Sequence, residues 1–373
     1  MPKLPETITI PSAVDLHVHL REPSTNKAET IESGSLAALL GGFALICDMS
    51  NNPGRPTWTL RRTKDKHNRI WRTSYIPVAT YAGSQPESNN ERELPKMAPY
   101  SIGLKSYLGE TTGNDREYEA SDFKDIWQLW NLLAPKKPIM IHRGSADLDE
   151  IISFTAGELG HCTHICHTNH PDEVEIVHRA KREGLPVTIG VCPYHIFKTS
   201  YDVLTEGKFA KMQPPLAHQT DAEKLMHLLA EGYIDIVESD HAPHTKAKKW
   251  EAEHGNGSCY GVPGIEFVMP LLFYAEKKGR ISRERIVEAT STMPAYIIGL
   301  TLSPHTNVTW SMEDYRIENE AKQTISGSGW TSYLGMLAIG KVQNSTILGK
   351  TLVEGGEIIS KYPRVVTGPN DLI

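Results

Sequence analysis

His17 and His19 stand one residue apart in an apolar, β-branched run. Alternate residues of a strand share a face, so both imidazoles would point to one side and could hold a metal ion there. A lone strand histidine is more often a core or rim residue. This pair has company: Lys105, His142, His167 and Asp240 each fall within or at the end of a segment that reads as a strand, and Asn51 follows another. Neutral imidazoles and carboxylates suit zinc, and also manganese, cobalt or iron. Four histidines and an aspartate exceed what one catalytic zinc needs. Two divalent ions, Zn2+ first among them, would use the set better, activating water and polarising a carbonyl. Lys105, in Gly103-Leu104-Lys105-Ser106-Tyr107-Leu108, has two readings. One is a lysine snorkelling from a strand end. The other is a buried, deprotonated amine, favoured by burial and nearby positive charge, that takes up carbon dioxide to become N6-carboxylated. The residues alone favour the first.

These groups need elements to place them. Short apolar segments alternate with helical ones, which predicts an α/β fold with a parallel sheet. Strands are expected at Ala13–Val18, Ala44–Met49, Ser74–Thr80, Ser101–Leu108, Pro138–His142, Thr163–His167, Pro186–Val191 and Ile234–Ser239. Eight strands suit a (β/α)8 TIM barrel, whose reactive residues sit at the C-terminal strand ends. Helices are expected at Glu29–Leu40 before Gly41-Gly42, at Glu173–Arg182, at Thr220–Ala230 with a capping Thr220, and then at Ile265–Lys278 and Arg283–Gly299. The barrel is placed at residues 13–302, and residues 1–12 and 303–373 are expected to form a small β appendage with a Gly355-Gly356 turn.

The 373 residues exceed the roughly 250 of a minimal barrel but fit one with insertions. A net charge of -6 gives no basic field for nucleic acid or an anionic membrane. No apolar run approaches the ~20 residues of a membrane span. The first residues lack an export signal, so a cytoplasmic location and reduced cysteines are expected. Cys162 and Cys166 have no second pair to complete a zinc knot and read as small residues packed in a strand.

Asp15-Leu16-His17-Val18-His19-Leu20-Arg21-Glu22-Pro23 resembles the opening signature of dihydroorotases in the amidohydrolase superfamily. Asp240-His241-Ala242-Pro243-His244-Thr245 resembles their closing signature. Between them, Gly103–Leu108 is similar to the carboxylated-lysine segment and His164-Ile165-Cys166-His167 to the sixth-strand segment, so the resemblance runs from about residue 13 to about residue 275. It implies that His17, His19 and Asp240 bind one metal ion, that His142 and His167 bind the other, and that N6-carboxylated Lys105 bridges them. It implies that Arg21, Asn51 and His244 hold a substrate carboxylate, an anion that suits the planar fork of Arg. Gly261, with Tyr260, Gln213 and His195, would line the same pocket. Thr111 and Thr112 would form a substrate lid, against the plainer reading of a mobile loop.

The implied reaction is the reversible hydrolysis and cyclisation between dihydroorotate and N-carbamoyl-L-aspartate in de novo pyrimidine biosynthesis. Asp240 would serve as base and then acid. The implied partners beyond the substrate are a second copy in a homodimer and aspartate carbamoyltransferase. Two other readings compete. A hydantoinase, dihydropyrimidinase or allantoinase would accept neutral rings and leave Arg21 without a carboxylate. A non-catalytic scaffold for aspartate carbamoyltransferase would have lost metal histidines, and all four are kept here. One stretch departs from the family pattern. Many relatives read Glu-Val-x-Pro-His-His where this chain has Gly190-Val191-Cys192-Pro193-Tyr194-His195. The change argues against a further metal near the seventh strand and is expected to alter the pocket rim.

Overall fold

All six residues of Ala13–Val18 and of Phe43–Asp48 are buried, as strands covered on both faces of a parallel sheet must be. The computed structural model describes residues 6–24, 28–88, 90–112, 114–254, 259–318 and 324–373. After β1 (Thr7–Pro11) come β2 (Ala13–Val18), β3 (Phe43–Asp48), β4 (Val78–Thr80), β5 (Ala82–Gly83), β6 (Leu104–Tyr107), β7 (Ile139–His142), β8 (Thr163–Ile165), β9 (Val187–Val191) and β10 (Ile236–Val237). The chain then adds β11 (Asn307–Arg316), β12 (Leu337–Ile347), β13 (Lys350–Glu354), β14 (Glu357–Ile358) and β15 (Val365–Val366).

Strands β2 to β10 run parallel, with helices between most of them. The third barrel strand is broken at Tyr81: β4 pairs with β3, and β5 pairs with β6. Counting β4 and β5 as one gives the eight strands of a (β/α)8 barrel. The ring closes where Val18 bridges His241 and the His19 N–H donates to the His241 carbonyl at 2.8 Å.

Several boundaries differ from the expected ones for local reasons. Ser74 does not begin a strand; its N–H caps the helix Leu60–Thr73, and Pro77 next to β4 has no N–H for a ladder. The sixth-strand helix begins at Pro171, where a missing N–H costs nothing, and His170 caps it. Thr220 caps nothing, because its helix starts at Gln219. The expected helix Arg283–Gly299 is interrupted by a π-turn at Glu288–Thr292, just before Pro294. Neither cysteine of the Cys162–Cys166 pair lies in β8; the two flank it.

The chain ends build a five-stranded antiparallel sheet in the order β1-β11-β12-β13-β14. Gly355 and Gly356 turn β13 into β14 with φ of 59° and 85°, values that suit a two-residue hairpin. Trp310 of β11 couples this sheet to the barrel. It is fully buried, stacks edge-on with Phe273 at 5.2 Å, and lies where a Cβ on Gly42 would come within 2.3 Å of its ring. The tail does not all stay in that sheet. Strand β15 pairs with β4, and Ile373 is buried in the barrel core. Residues 1–5, expected in the appendage, lie outside the described residues. Among the described residues no helix is long and apolar enough to cross a membrane.

Candidate metal centre

Two buried carboxylates shape the end of β2. Asp15 accepts the N–H groups of His17 (2.9 Å) and Ser239 (3.2 Å), tying β2 to the segment after β10. Asp48 at the end of β3 pairs with Lys66 at 2.6 Å and accepts the Leu20 N–H at 2.9 Å, fixing the turn into Arg21. His17 and His19 then face the barrel axis together. Their Nε2 atoms lie 3.4 and 3.1 Å from Asp240 Oδ1. Their Nδ1 atoms turn outward, to Glu238 Oε2 at 3.2 Å and Asn51 Oδ1 at 2.9 Å. Outer partners of this kind select the tautomer and aim the inner nitrogen.

The second pair lies alongside. His142 Nδ1 is 2.9 Å from His167 Nε2, and the His17 and His167 ring centroids are 5.0 Å apart. His142 Nε2 and His167 Nδ1 are buried without a hydrogen-bond partner. Lys105 is fully buried, and its Nζ has Cys166 Sγ at 3.1 Å and the Tyr107 ring at 5.2 Å. Among the described residues no carboxylate lies within ion-pair distance of it.

Burial holds His17 and His167 well below the usual imidazole range, and nearby cationic groups add to this. Burial would raise the Asp240 carboxyl, but His17, His19 and Tyr194 outweigh it and hold Asp240 below the usual carboxylate range. The set therefore offers neutral imidazoles and an ionised carboxylate. The donor atoms of His17, His19 and Asp240 lie within 4.8 Å of one another. With the two orphaned imidazole nitrogens, this donor chemistry fits divalent cations.

Strain concentrates here. Arg21, His167 and Asp240 adopt φ of 58°, 41° and 42°, in the left-handed region that side chains rarely occupy. Arg21 is almost fully buried. Its Nε donates to the Pro243 carbonyl at 3.4 Å, its Nη2 lies 3.5 Å from His244 Nε2, and its Nη1 has no partner. No carboxylate pairs with it among the described residues. A second buried cation, Lys249, donates to the Lys211 carbonyl at 2.8 Å; burial pushes its amine down to about 7.

His17, His19, Arg21, Thr111, Thr112, His142, His167, Asp240 and Gly261 line one cavity of about 20 Å³, with Gln213 and Tyr260. Room of this order holds about one water molecule, so a larger ligand needs the loop of Thr111 and Thr112 to give way. Asn51 reaches this cavity's loop, donating to Thr111 Oγ1 at 3.3 Å and the Thr112 carbonyl at 3.4 Å. Gly261 has φ 109°, and a Cβ there would come within 2.5 Å of Ala242, so only glycine fits. His244 is set back, bonded to the Tyr260 carbonyl at 2.7 Å. His195, expected on the pocket wall, is not on it; it bonds the Pro214 carbonyl at 3.2 Å. Residue 113 of the expected lid lies outside the described residues.

Sequence reasoning missed three residues. Glu238 touches His17, Tyr194 donates to Asp240 Oδ2 at 2.6 Å, and Cys166 meets Lys105. The Tyr194 change therefore reaches the centre itself and not only its rim. The signal for Glu238 in the sequence is a carboxylate two residues before Asp240, directly after the apolar pair Ile236-Val237.

The buried histidines make a pH prediction. Burial pushes His67, His142 and His195 from the ordinary 6.5 down to about 4. Between those values the unfolded chain binds protons that the folded chain refuses, so stability is lost as pH falls through that window. Asp15, which burial pushes up to about 7, acts in the opposite direction but is one group against three. The metal-free protein should show a falling Tm from about pH 6.5 to about pH 4.5 in calorimetry. A flat or rising Tm would contradict the assignment of neutral buried imidazoles.

Comparison with known proteins adds to this geometry. Residues 6–101 match the family model described as Dihydro-orotase-like. The chain is 30% identical over 323 residues to a dihydroorotase of Bacillus cereus, covering 78% of this chain and 73% of that one. It is 29% identical over 356 residues to the multifunctional protein CAD of Squalus acanthias, covering 94% of this chain but only 15% of that protein's length. In structure it is similar to the L-hydantoinase (dihydropyrimidinase) of Arthrobacter aurescens, with a TM-score of 0.82 at 22% identity over 96% of this chain and 88% of that one.

Proposed function

The chain belongs to the dihydroorotase-like family, and from that premise we propose that it is a metal-dependent cyclic amidohydrolase that interconverts dihydroorotate and N-carbamoyl-L-aspartate. The observation that carries the substrate class is Arg21. A guanidinium buried on the wall of the candidate metal cavity, with one nitrogen unpartnered and no carboxylate within ion-pair distance among the described residues, calls for an anionic ligand. Dihydroorotate brings one on a ring that also carries a hydrolysable amide. Hydantoin, dihydrouracil and allantoin are neutral rings, so comparing them with dihydroorotate tests the proposal.

His17, His19 and Asp240 would hold one zinc ion and His142 and His167 the other, with N6-carboxylated Lys105 between; such ions activate water and polarise the scissile carbonyl. Arg21 grips the substrate carboxylate, and Asn51 steadies both His19 and the loop of Thr111 and Thr112. Asp240 takes the proton of the attacking water and returns it to the ring nitrogen as the amide breaks. Tyr194 donates to its outer oxygen, leaving the inner one toward the cavity. In the reverse direction Asp240 first removes the proton from the ureido nitrogen.

The carboxylated lysine has its own test. Lys105→Ala is expected to lose most of its bound metal, and short carboxylic acids are expected to restore part of it. Full metal content and rate without any added acid would rule out the bridging role.

A further inference from the structure

Glu238 is fully buried beside the candidate metal histidines, and nothing in the proposed reaction uses it. It follows β10, where its N–H donates to the Val191 carbonyl at 3.1 Å. One carboxylate oxygen, Oε2, lies 3.2 Å from His17 Nδ1. The other, Oε1, accepts the backbone N–H of His167 and lies 3.7 Å from His164 Nε2. A single carboxylate thus touches one histidine from each candidate pair. Its hold on His167 falls where the backbone is strained, at φ 41°. Without it that buried N–H would lose its acceptor.

The neighbouring strand has made room for this side chain. A Cβ added to Gly190 of β9 would come within 2.6 Å of Glu238 Oε1 and 3.0 Å of His164 Nε2. Gly190 has no left-handed φ to explain a glycine. The space beside the histidines is therefore filled from β10, and β9 is bare where it would collide.

We propose that Glu238 is a positioning residue for both candidate histidine pairs, and that once its side chain is removed a carboxylate from position 190 on β9 can take its place, since a Cβ there would lie 2.6 Å from its Oε1. Glu238 favours the proton on His17 Nδ1, which leaves the Nε2 lone pair on the Asp240 side, where a cation would sit between the two acceptors. The His167 N–H donates to the same group, so its ring stays beside His142. This rests on the proposed metal centre, but its first readout does not need metal.

The test uses the full chain as Glu238→Gln, Glu238→Ala, Gly190→Glu and the double Gly190→Glu/Glu238→Ala. Nitrogen-15 NMR of the metal-free protein reads the His17 tautomer. Competition with a chelator reads Zn2+ affinity, and circular dichroism checks folding. Wild type is expected to show the Nδ1–H tautomer at His17. Glu238→Gln, which keeps one acceptor oxygen where two are used, should mix the tautomers and lose about 10- to 100-fold in Zn2+ affinity. Glu238→Ala should lose at least as much, and Gly190→Glu alone should also lose affinity through crowding of two carboxylates. The double variant should recover the tautomer and bring affinity back to within about 10-fold of wild type. Folded Glu238→Gln with the wild-type tautomer and wild-type affinity would overturn the positioning role. A folded double variant no better than Glu238→Ala would overturn the exchange between strands. A wild type that binds no Zn2+ yet shows the Glu238-dependent tautomer would overturn the metal-centre reading and leave Glu238 as the residue that orients His17.

Discussion

Asp240→Asn is expected to keep bound zinc at saturating metal while lowering kcat by about 10²- to 10⁴-fold, the usual worth of a positioned acid–base group. Asparagine retains an oxygen where Oδ1 meets His17 and His19, so a metal donor remains. What it loses is a site for a proton. Asp240 is held ionised by His17, His19 and Tyr194 against a burial that would neutralise it. A group kept charged at such cost, in a left-handed backbone at φ 42°, is placed for more than ligation. Metal analysis beside steady-state kinetics separates the two roles. Near wild-type turnover with zinc retained would remove Asp240 from proton transfer.

Arg21→Met is expected to move activity and stability in opposite directions. Loss of a buried charged contact to a ligand carboxylate costs about 2–5 kcal/mol, or roughly 30- to 5000-fold in kcat/KM for dihydroorotate. Residual turnover of neutral rings, if any, should not fall with it. The metal-free variant should melt at the same temperature or higher, because the native guanidinium is buried with no carboxylate within ion-pair distance among the described residues, Asp240 and Asp48 acting on it only from further off. Methionine fills the same stem volume without that charge. Calorimetry and kinetics on the same preparation check both halves. A large drop in Tm would mean that Arg21 holds the fold, and unchanged kcat/KM for dihydroorotate would mean that it does not hold the substrate.

The barrel was legible because its strands are buried on both faces and so read as continuous apolar runs, as residues 43–47 do within Phe43–Asp48. The centre was legible where two of its members stand at one strand end, as with His17 in β2 and His19 just past it, or where a motif as distinctive as Asp240–Thr245 carries one. What depends on packing between strands was not legible. Glu238 matters only because Gly190, distant in sequence, leaves it room. Cys166 read as a filler until the fold set it 3.1 Å from Lys105. The break of the third strand at Tyr81 and the return of β15 to β4 reflect a long-range pairing that no local pattern encodes. His195 is the converse: the resemblance set it on the pocket wall, and its short helix turns the ring toward the Pro214 carbonyl.

The central claim is that a metal centre and an unpaired arginine together select a cyclic amide bearing a carboxylate. The most direct measurement is turnover by the zinc-loaded chain of dihydroorotate, dihydrouracil, hydantoin and allantoin under one set of conditions, with a chelated control. Hydrolysis of dihydroorotate at a kcat/KM at least about 100-fold above any neutral ring, abolished by the chelator, is the expected result. Equal or faster turnover of a neutral ring, or dihydroorotate hydrolysis that survives removal of the metal, would contradict it.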